Sequence, residues 1–268
     1  MDIATIAGLL LAVTVLVAAM ILDGGSPAEL FAAPAAIILI FGGSLGSTIV
    51  TSPLKLVMKV PVIIAQAFTT KSFDAAGMIE LLTKLADKAR REGLLALEED
   101  ARKIEDKFLK KGISMVVDGV DPEQVAAIME TTIDQTRARH KQGIGFFTAA
   151  GGFAPTFGIL GTVMGLINVL KQLDNPSALG EAIASAFLAT LWGLLTANLI
   201  YLPIAGKLKS KSEEEARNRN MQLEGILSIQ AGENPRVVRD KLTAYLAPAE
   251  VKAEGEASAA PVAGRAQA

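Results

Sequence analysis

The 268-residue sequence has no cysteine and one histidine. The absence of Cys excludes disulfides, thiolate metal sites and a Cys nucleophile together. His140 alone cannot assemble a metal centre, which takes three or four protein ligands; it reads as a surface residue in a basic stretch. A net charge of −2 gives no long-range attraction for nucleic acid. No nucleophile–base pair, metal cluster or phosphate loop is visible, so neither an enzyme nor a resident cofactor is expected.

The absence that organises the chain is one of charge. Ile3–Leu22, Leu30–Leu54, Ile144–Leu170 and Ala182–Ala205 contain no Asp, Glu, Lys or Arg. Each reaches the roughly 20 residues that a helix rising about 1.5 Å per residue needs to cross about 30 Å of hydrocarbon. The expected fold is all-α: a polytopic membrane protein with four transmembrane helices and a helical cytoplasmic domain between the second and third. The first run is too long for a signal-peptide core, and Asp2 stands before it instead of a basic region.

Charge also orients the spans. Of the 26 Lys and Arg residues, 15 lie in Lys55–Lys141, 10 follow Gly206 and one is Lys171. The connectors Asp23–Glu29 and Lys171–Glu181 are acidic on balance. Lys and Arg collect in cytoplasmic loops near span ends, so both termini and the central block are expected on the cytoplasmic side. The organisation read from these shifts is 1–54 for spans one and two, 55–141 for the cytoplasmic domain and 142–206 for spans three and four. A charged tail helix follows over 207–246. Residues 247–268, rich in Ala, Pro, Gly and Glu, lack the apolar side chains to build a core and are expected to be disordered.

Within the central block, Asp74–Arg91 places Met78, Leu81, Leu82 and Leu85 at helical spacing. Gly93 interrupts, and Leu94–Lys110 reads as a second helix. Asp121-Pro122-Glu123 supplies an N-cap, a first-position Pro and a first-turn acid. The helix it opens runs without a break signal into span three.

Span three holds five Gly and Pro155 between Gly151 and Gly165. Such small residues let membrane helices approach closely, and Gly161-xxx-Gly165 fits that pattern. Gly42, Gly43, Gly46, Ser44 and Ser47 do the same in span two. These residues fit either packing within the bundle or a second protein's helix. Pro155 and Pro203 each free a backbone carbonyl inside an apolar run, as bends or hinges do. Thr162, Thr190, Thr196 and Asn198 are the polar side chains; they either bond their own backbone or line a cation path. No span carries an Asp, Glu, Lys or Arg, so a protein moving ions through these helices needs a partner's carboxylate.

Residues Ala149–Leu166, with Gly151-Gly152-Phe153-Ala154-Pro155-Thr156-Phe157-Gly158 at their heart, resemble the third-span signature of the MotA family of flagellar stator subunits. Ala89–Glu98 resembles that family's rotor-facing segment, and Asp118-Gly119 and Ala197-Asn198 also fit. The resemblance covers roughly residues 1–230. It implies a homopentamer around a MotB-like single-span subunit that bears an intramembrane Asp, in the bacterial inner membrane. Transported H⁺ or Na⁺ would drive rotation against the rotor switch protein FliG. Arg90 and Glu98 take the principal rotor-contact positions, with Arg91 and Glu99 auxiliary. Thr162 and Thr190 match hydroxyl positions facing the MotB carboxylate, and Pro155 and Pro203 match the family's functional prolines.

The chain departs from the family in two places. Ala189-Thr190-Leu191-Trp192-Gly193 stands where many relatives have two adjacent Thr and then Tyr-Gly. Some relatives also have an acidic residue shortly before the span-three Pro, and Gly151–Ala154 has none. Both leave the coupling ion open between H⁺ and Na⁺. The alternatives are an ExbB- or TolQ-like energiser of another envelope process, against which the four spans argue, and a passive scaffold.

Overall fold

The computed structural model describes residues 3–69, 73–171 and 176–246. Asp2, the tail 247–268 read as disordered and residues 172–175 of the connector after Lys171 lie outside the described residues. Among the described residues every regular element is a helix. They are α1 (Ile3–Leu22), α2 (Pro34–Val50), α3 (Leu54–Val57), α4 (Val60–Phe68), α5 (Ala75–Glu92), α6 (Glu98–Lys103), α7 (Lys107–Val117), α8 (Pro122–Lys171), α9 (Pro176–Leu195), α10 (Leu202–Gln230) and α11 (Pro235–Thr243). Short 3₁₀ turns precede α2 and α6, and a π-helical turn, Thr196–Tyr201, joins α9 to α10.

The helices fall into two units. The first comprises residues 1–71 and 139–211, and the second 72–138 and 212–268. Residues 55–71, read as the start of the polar insertion, group with the first unit. Both α8 and α10 contribute to each unit.

Among the described residues three helices are long and apolar enough to cross a membrane, while α2 has 17 residues. At about 1.5 Å per residue α2 spans roughly 25 Å, the lower limit for a bilayer. It is therefore shorter than the Leu30–Leu54 run expected from sequence. Pro34 starts it because a first-turn residue needs no N–H. At the other end Pro53 disfavours helical backbone at Ser52. Leu30 belongs instead to the turn Pro27–Phe31, where Ser26 and Glu29 form a reciprocal cap. The fourth apolar run also differs from its expected limits: helix begins at Pro176, so Glu181 is helical.

In the first unit, Ala36, Ile40, Ser44 and Thr48 recur every four residues along α2, and all are buried. Ile40 of that stripe joins a core of Phe146, Phe147, Ala150 and Ala154 from α8 with Ala197, Tyr201 and Ala205, while Ala36 packs with Ala33 and Ala189. Lys211 Nζ donates to the carbonyls of Gln66, Ala67 and Thr69 at 2.8, 3.0 and 2.6 Å, closing the C-terminal end of α4.

The second unit has an apolar core that includes Ile79, Leu82, Leu85, Leu109, Ile113, Met129, Ile226 and Leu242. Asp74 caps α5 by accepting from Gly77 N–H at 2.9 Å. The expected helix Leu94–Lys110 is divided. It breaks at Ile104, and α7 restarts after Asp106, whose carboxylate accepts from Phe108 and Leu109 N–H at 3.0 and 2.8 Å. The start of α8 follows the sequence reading, with Asp121 accepting from Glu123 N–H at 2.9 Å. The helix then continues unbroken for 50 residues.

Candidate functional site

Three glycines of α8, Gly158, Gly161 and Gly165, lie against α9. A Cβ at Gly158 would lie 3.0 Å from Ala189 O, and one at Gly161 would lie 2.7 Å from Ala189 Cβ. At Gly165 it would meet Ala186 Cβ at 2.6 Å, and at Gly193 it would meet Ala154 O at 2.8 Å. Gly161-xxx-Gly165 therefore serves packing within this chain, the first of the two readings offered by the sequence. Gly42, Gly46 and Gly152 face open space.

This near-contact of backbones brings Thr162 and Thr190 together, hydroxyl to hydroxyl. Thr162 Oγ1 also lies 3.1 Å from Gly158 O and 3.0 Å from Ala186 O. Two hydroxyls and two carbonyls thus converge, a set of neutral oxygens of the kind that takes a hard cation or a hydrated proton. Both threonines are half-buried, and no described residue of α8 within 144–170 or of α9 within 182–195 is charged. The cluster has oxygen donors and no counter-charge of its own.

Two residues after Thr190 stands Trp192. Its indole N–H donates to Leu30 O at 2.7 Å, and its ring packs against Phe31 and Phe41 at 5.9 and 6.4 Å. Sequence reading noted Trp192 only as a departure from the family pattern. A lone indole in an apolar run was the available signal, since a buried Trp N–H needs an acceptor. Tyr201 OH lies 3.3 Å from Ser44 Oγ, a second polar tie missed from sequence.

The prolines sit differently. Pro155 lies inside α8, beside the Ala154 carbonyl that Gly193 approaches. Pro203 follows the π-turn, where Leu202 N–H reaches back five residues to Ala197 O. A Pro cannot donate to the carbonyl four residues earlier and clashes with it; the wider turn makes room for that clash. Thr196 opens this turn, and its buried hydroxyl has no hydrogen-bond partner among the described atoms. Such π-turns are frequent at functional sites. Asn198, by contrast, bonds its own helix at Leu194 O, 2.9 Å away.

The charged positions of the second unit are separate from this cluster. Arg90, Arg91, Glu98 and Glu99 are all exposed. Arg91 pairs with Asp87 at 2.9 Å and Glu98 with Arg102 at 2.7 Å. Among the described residues no ion pair to Arg90 or Glu99 occurs. Between them Lys88 meets Asp100 at 2.7 Å. The Asp100 carboxylate holds the Lys88 ammonium above its usual range and ties α5 to α6. Gly93, at φ +86°, makes the turn between these two charged segments, a conformation that favours Gly.

The comparisons with known proteins bear on this arrangement directly. Residues 100–221 match the MotA/TolQ/ExbB proton channel family, and residues 6–93 match the motility protein A N-terminal region. Motility protein A of Bacillus subtilis (strain 168) is 41% identical over 92% of this chain and 91% of its own length. The chain belongs to the motility protein A family. Chemotaxis protein PomA of Vibrio alginolyticus is 38% identical over 92% of the chain and 96% of that protein. The structure of the flagellar MotAB stator complex from Bacillus subtilis superposes with a TM-score of 0.87 at 39% identity, covering 93% of this chain and 98% of that one. Motility protein A relatives belong to a family of channel subunits, so the chain is a membrane protein and not an enzyme. The match over residues 6–93, outside the shared channel region, favours the motility branch over an ExbB- or TolQ-like energiser.

Proposed function

We propose that this chain is the MotA-type subunit of a flagellar stator, which with a MotB-type partner couples cation flow to torque on the rotor. The observation that carries the ion step is the Thr162–Thr190 hydroxyl pair, held with Gly158 O and Ala186 O in spans that contain no charge. A partner carboxylate, an Asp on its single span, supplies the missing negative group. The transported cation is H⁺ or Na⁺. The subunits assemble as a homopentamer around the partner in the bacterial inner membrane, with four passes and both termini cytoplasmic.

Exposed Arg90 and Glu98, with Arg91 and Glu99 beside them, contact the switch protein FliG. Surface pairs of this kind are worth about 0.2–1 kcal/mol each, which suits contacts made and broken repeatedly. One elementary charge crossing 100 mV releases about 2.3 kcal/mol, enough to break such a contact. Pro155 and Pro203 are the hinges of spans three and four.

The test is complementation of a stator-deleted, partner-expressing host. Thr162→Ala and Thr190→Ala are expected to lower swimming and ion flux while the complex still assembles, and Thr190→Ser to restore both. Replacing Na⁺ by K⁺ in the medium then assigns the ion. Normal flux in both Ala variants would reject the pair as the ion step.

A further inference from the structure

We infer that Leu95 is the apolar anchor of the rotor contact. It seats in a hollow of the switch protein, between an acidic group facing Arg90 and a basic group facing Glu99. The inference rests on the assignment of Arg90, Arg91, Glu98 and Glu99 to that contact.

The turn Leu94–Leu97, between α5 and α6, divides its leucines. In a 3₁₀ turn the side chains at i and i+3 eclipse, so Leu94 and Leu97 share one face. Leu97 is fully buried in the core of the second unit, and Leu94 packs against that core. Leu95 lies off that face and is 76% exposed. Among the described residues, Val237 at 46% and Ile128 at 40% are the other exposed large apolar side chains of that unit. A lone exposed leucine is ordinary. Three further observations assign this one a partner.

The first is its rim. Leu95 lies five residues after Arg90 and four before Glu99, which sit in the last turn of α5 and the first turn of α6. Both are exposed, and neither makes an ion pair among the described residues. An apolar centre inside a charged rim is how protein interfaces are built. The second is rigidity. Ala96 N–H donates to Gly93 O at 3.2 Å inside the turn, and the Lys88–Asp100 pair at 2.7 Å ties together the two helices that flank it. An anchor already held in place loses little freedom on docking. The third is continuity, since Leu95 belongs to the turn that joins the two charged segments assigned to the rotor.

Magnitudes divide the work between them. One exposed ion pair changes affinity by about fivefold at most, whereas burying a leucine side chain changes it about tenfold or more. The charges orient the partner, and Leu95 supplies most of the hold. Apolar burial has no direction, which suits a surface that travels past. It also survives about 1 M salt, where charges are screened beyond about 3 Å.

The test uses the full chain with its partner subunit, in lipid nanodiscs, titrated with purified switch protein. Leu95→Ala is expected to weaken binding about tenfold or more, and Leu95→Met, of like volume, to restore most of it. Arg90→Gln with Glu99→Gln should weaken binding at low ionic strength and leave it unchanged at about 1 M salt. In cells, a photoreactive residue in place of Leu95 should join the switch protein, and one in place of Val237 should not. Equal binding by Leu95→Ala and the unaltered protein would overturn the inference. So would a position-95 adduct with a second copy of the chain, or no adduct at all. Binding weakened by the charge variant but not by Leu95→Ala would remove the anchor and leave the rotor assignment standing. Failure of the unaltered complex to bind the switch protein would reject that assignment and the anchor with it.

Discussion

A hydroxyl carries one hydrogen, and at Thr162 three acceptors stand within reach of it: Gly158 O, Ala186 O and Thr190 Oγ1. If Thr162 gives its hydrogen to a carbonyl, Thr190 must donate between the two hydroxyls, which leaves one lone pair on Thr162 Oγ1 uncommitted. Trp192 sets the neighbouring wall. Trp192→Phe keeps the ring beside Phe31 and Phe41 but leaves Leu30 O without its donor. A lost hydrogen bond of this kind costs about 1 kcal/mol, so the purified complex should melt at a lower temperature with its aromatic packing retained. An unchanged melt would mean that the indole N–H contributes nothing. In the second unit, Lys241 Nζ lies 2.8 Å from Glu233 Oε1, and this ammonium holds the Glu233 carboxyl below its ordinary value of 4.5. A lowered folded-state value gives stability that is present above 4.5 and is lost as pH falls through the folded value. Acidification below 4.5 should therefore lower the melting temperature, and Lys241→Met should reduce that drop. An equal drop in the variant would exclude the pair as its source.

Elements are joined here by what their residues leave out. Gly158, Gly161 and Gly165 of α8 and Gly193 of α9 have no side chain, so two backbones meet and carry Thr162 to Thr190. Gly165→Leu adds a side chain whose Cβ alone would sit 2.6 Å from Ala186 Cβ, and the helices must part. The chain has no native Cys, so Thr162→Cys with Thr190→Cys reports the pair cleanly. That disulfide should form in the otherwise unaltered protein and fail when Gly165→Leu is added. With Gly152→Leu it should still form, because Gly152 faces open space. Disulfide formation in the presence of Gly165→Leu would refute the close-packed crossing. The limits of α2 show why apolarity alone does not define an element. Leu30–Leu54 is a suitable solvent match for lipid, but Pro34 and Pro53 decide where its backbone is helical. Similarly, apolar periodicity carried the Leu94–Lys110 reading past Ile104, while the Asp106 side chain competed for the next backbone N–H groups and won.

For the whole molecule, the proposed function requires ion flow in one unit to become motion at the exposed charges of the other. Arg90 makes no ion pair among the described residues and is exposed, so Arg90→Glu should leave abundance and stability within about 0.5 kcal/mol while slowing swimming. Glu98→Lys also loses the Arg102 pair, a cost of about 0.3–0.5 kcal/mol for an exposed i,i+4 contact. Its swimming defect should likewise exceed its effect on stability. Unimpaired swimming in both variants would reject these positions as the rotor contact. Sequence singled out the four charged residues through family resemblance, which ranks Arg90 and Glu98 as principal and Arg91 and Glu99 as auxiliary. The structure divides them otherwise: Arg91 and Glu98 are engaged by neighbours one helical turn away, while among the described residues Arg90 and Glu99 have no ion-pair partner.

The charge-free runs, the basic blocks and the Asp caps at Asp74 and Asp121 were set by the sequence alone, because solvent preference and first-turn hydrogen bonding act over short stretches of chain. Tertiary structure decided the rest. Whether Gly161 and Gly165 served a partner or their own chain, where Trp192 sent its N–H, and how Pro203 was relieved by a π-turn all depend on groups distant in sequence. A glycine specifies closeness without naming its neighbour, and only the packed helices supply one.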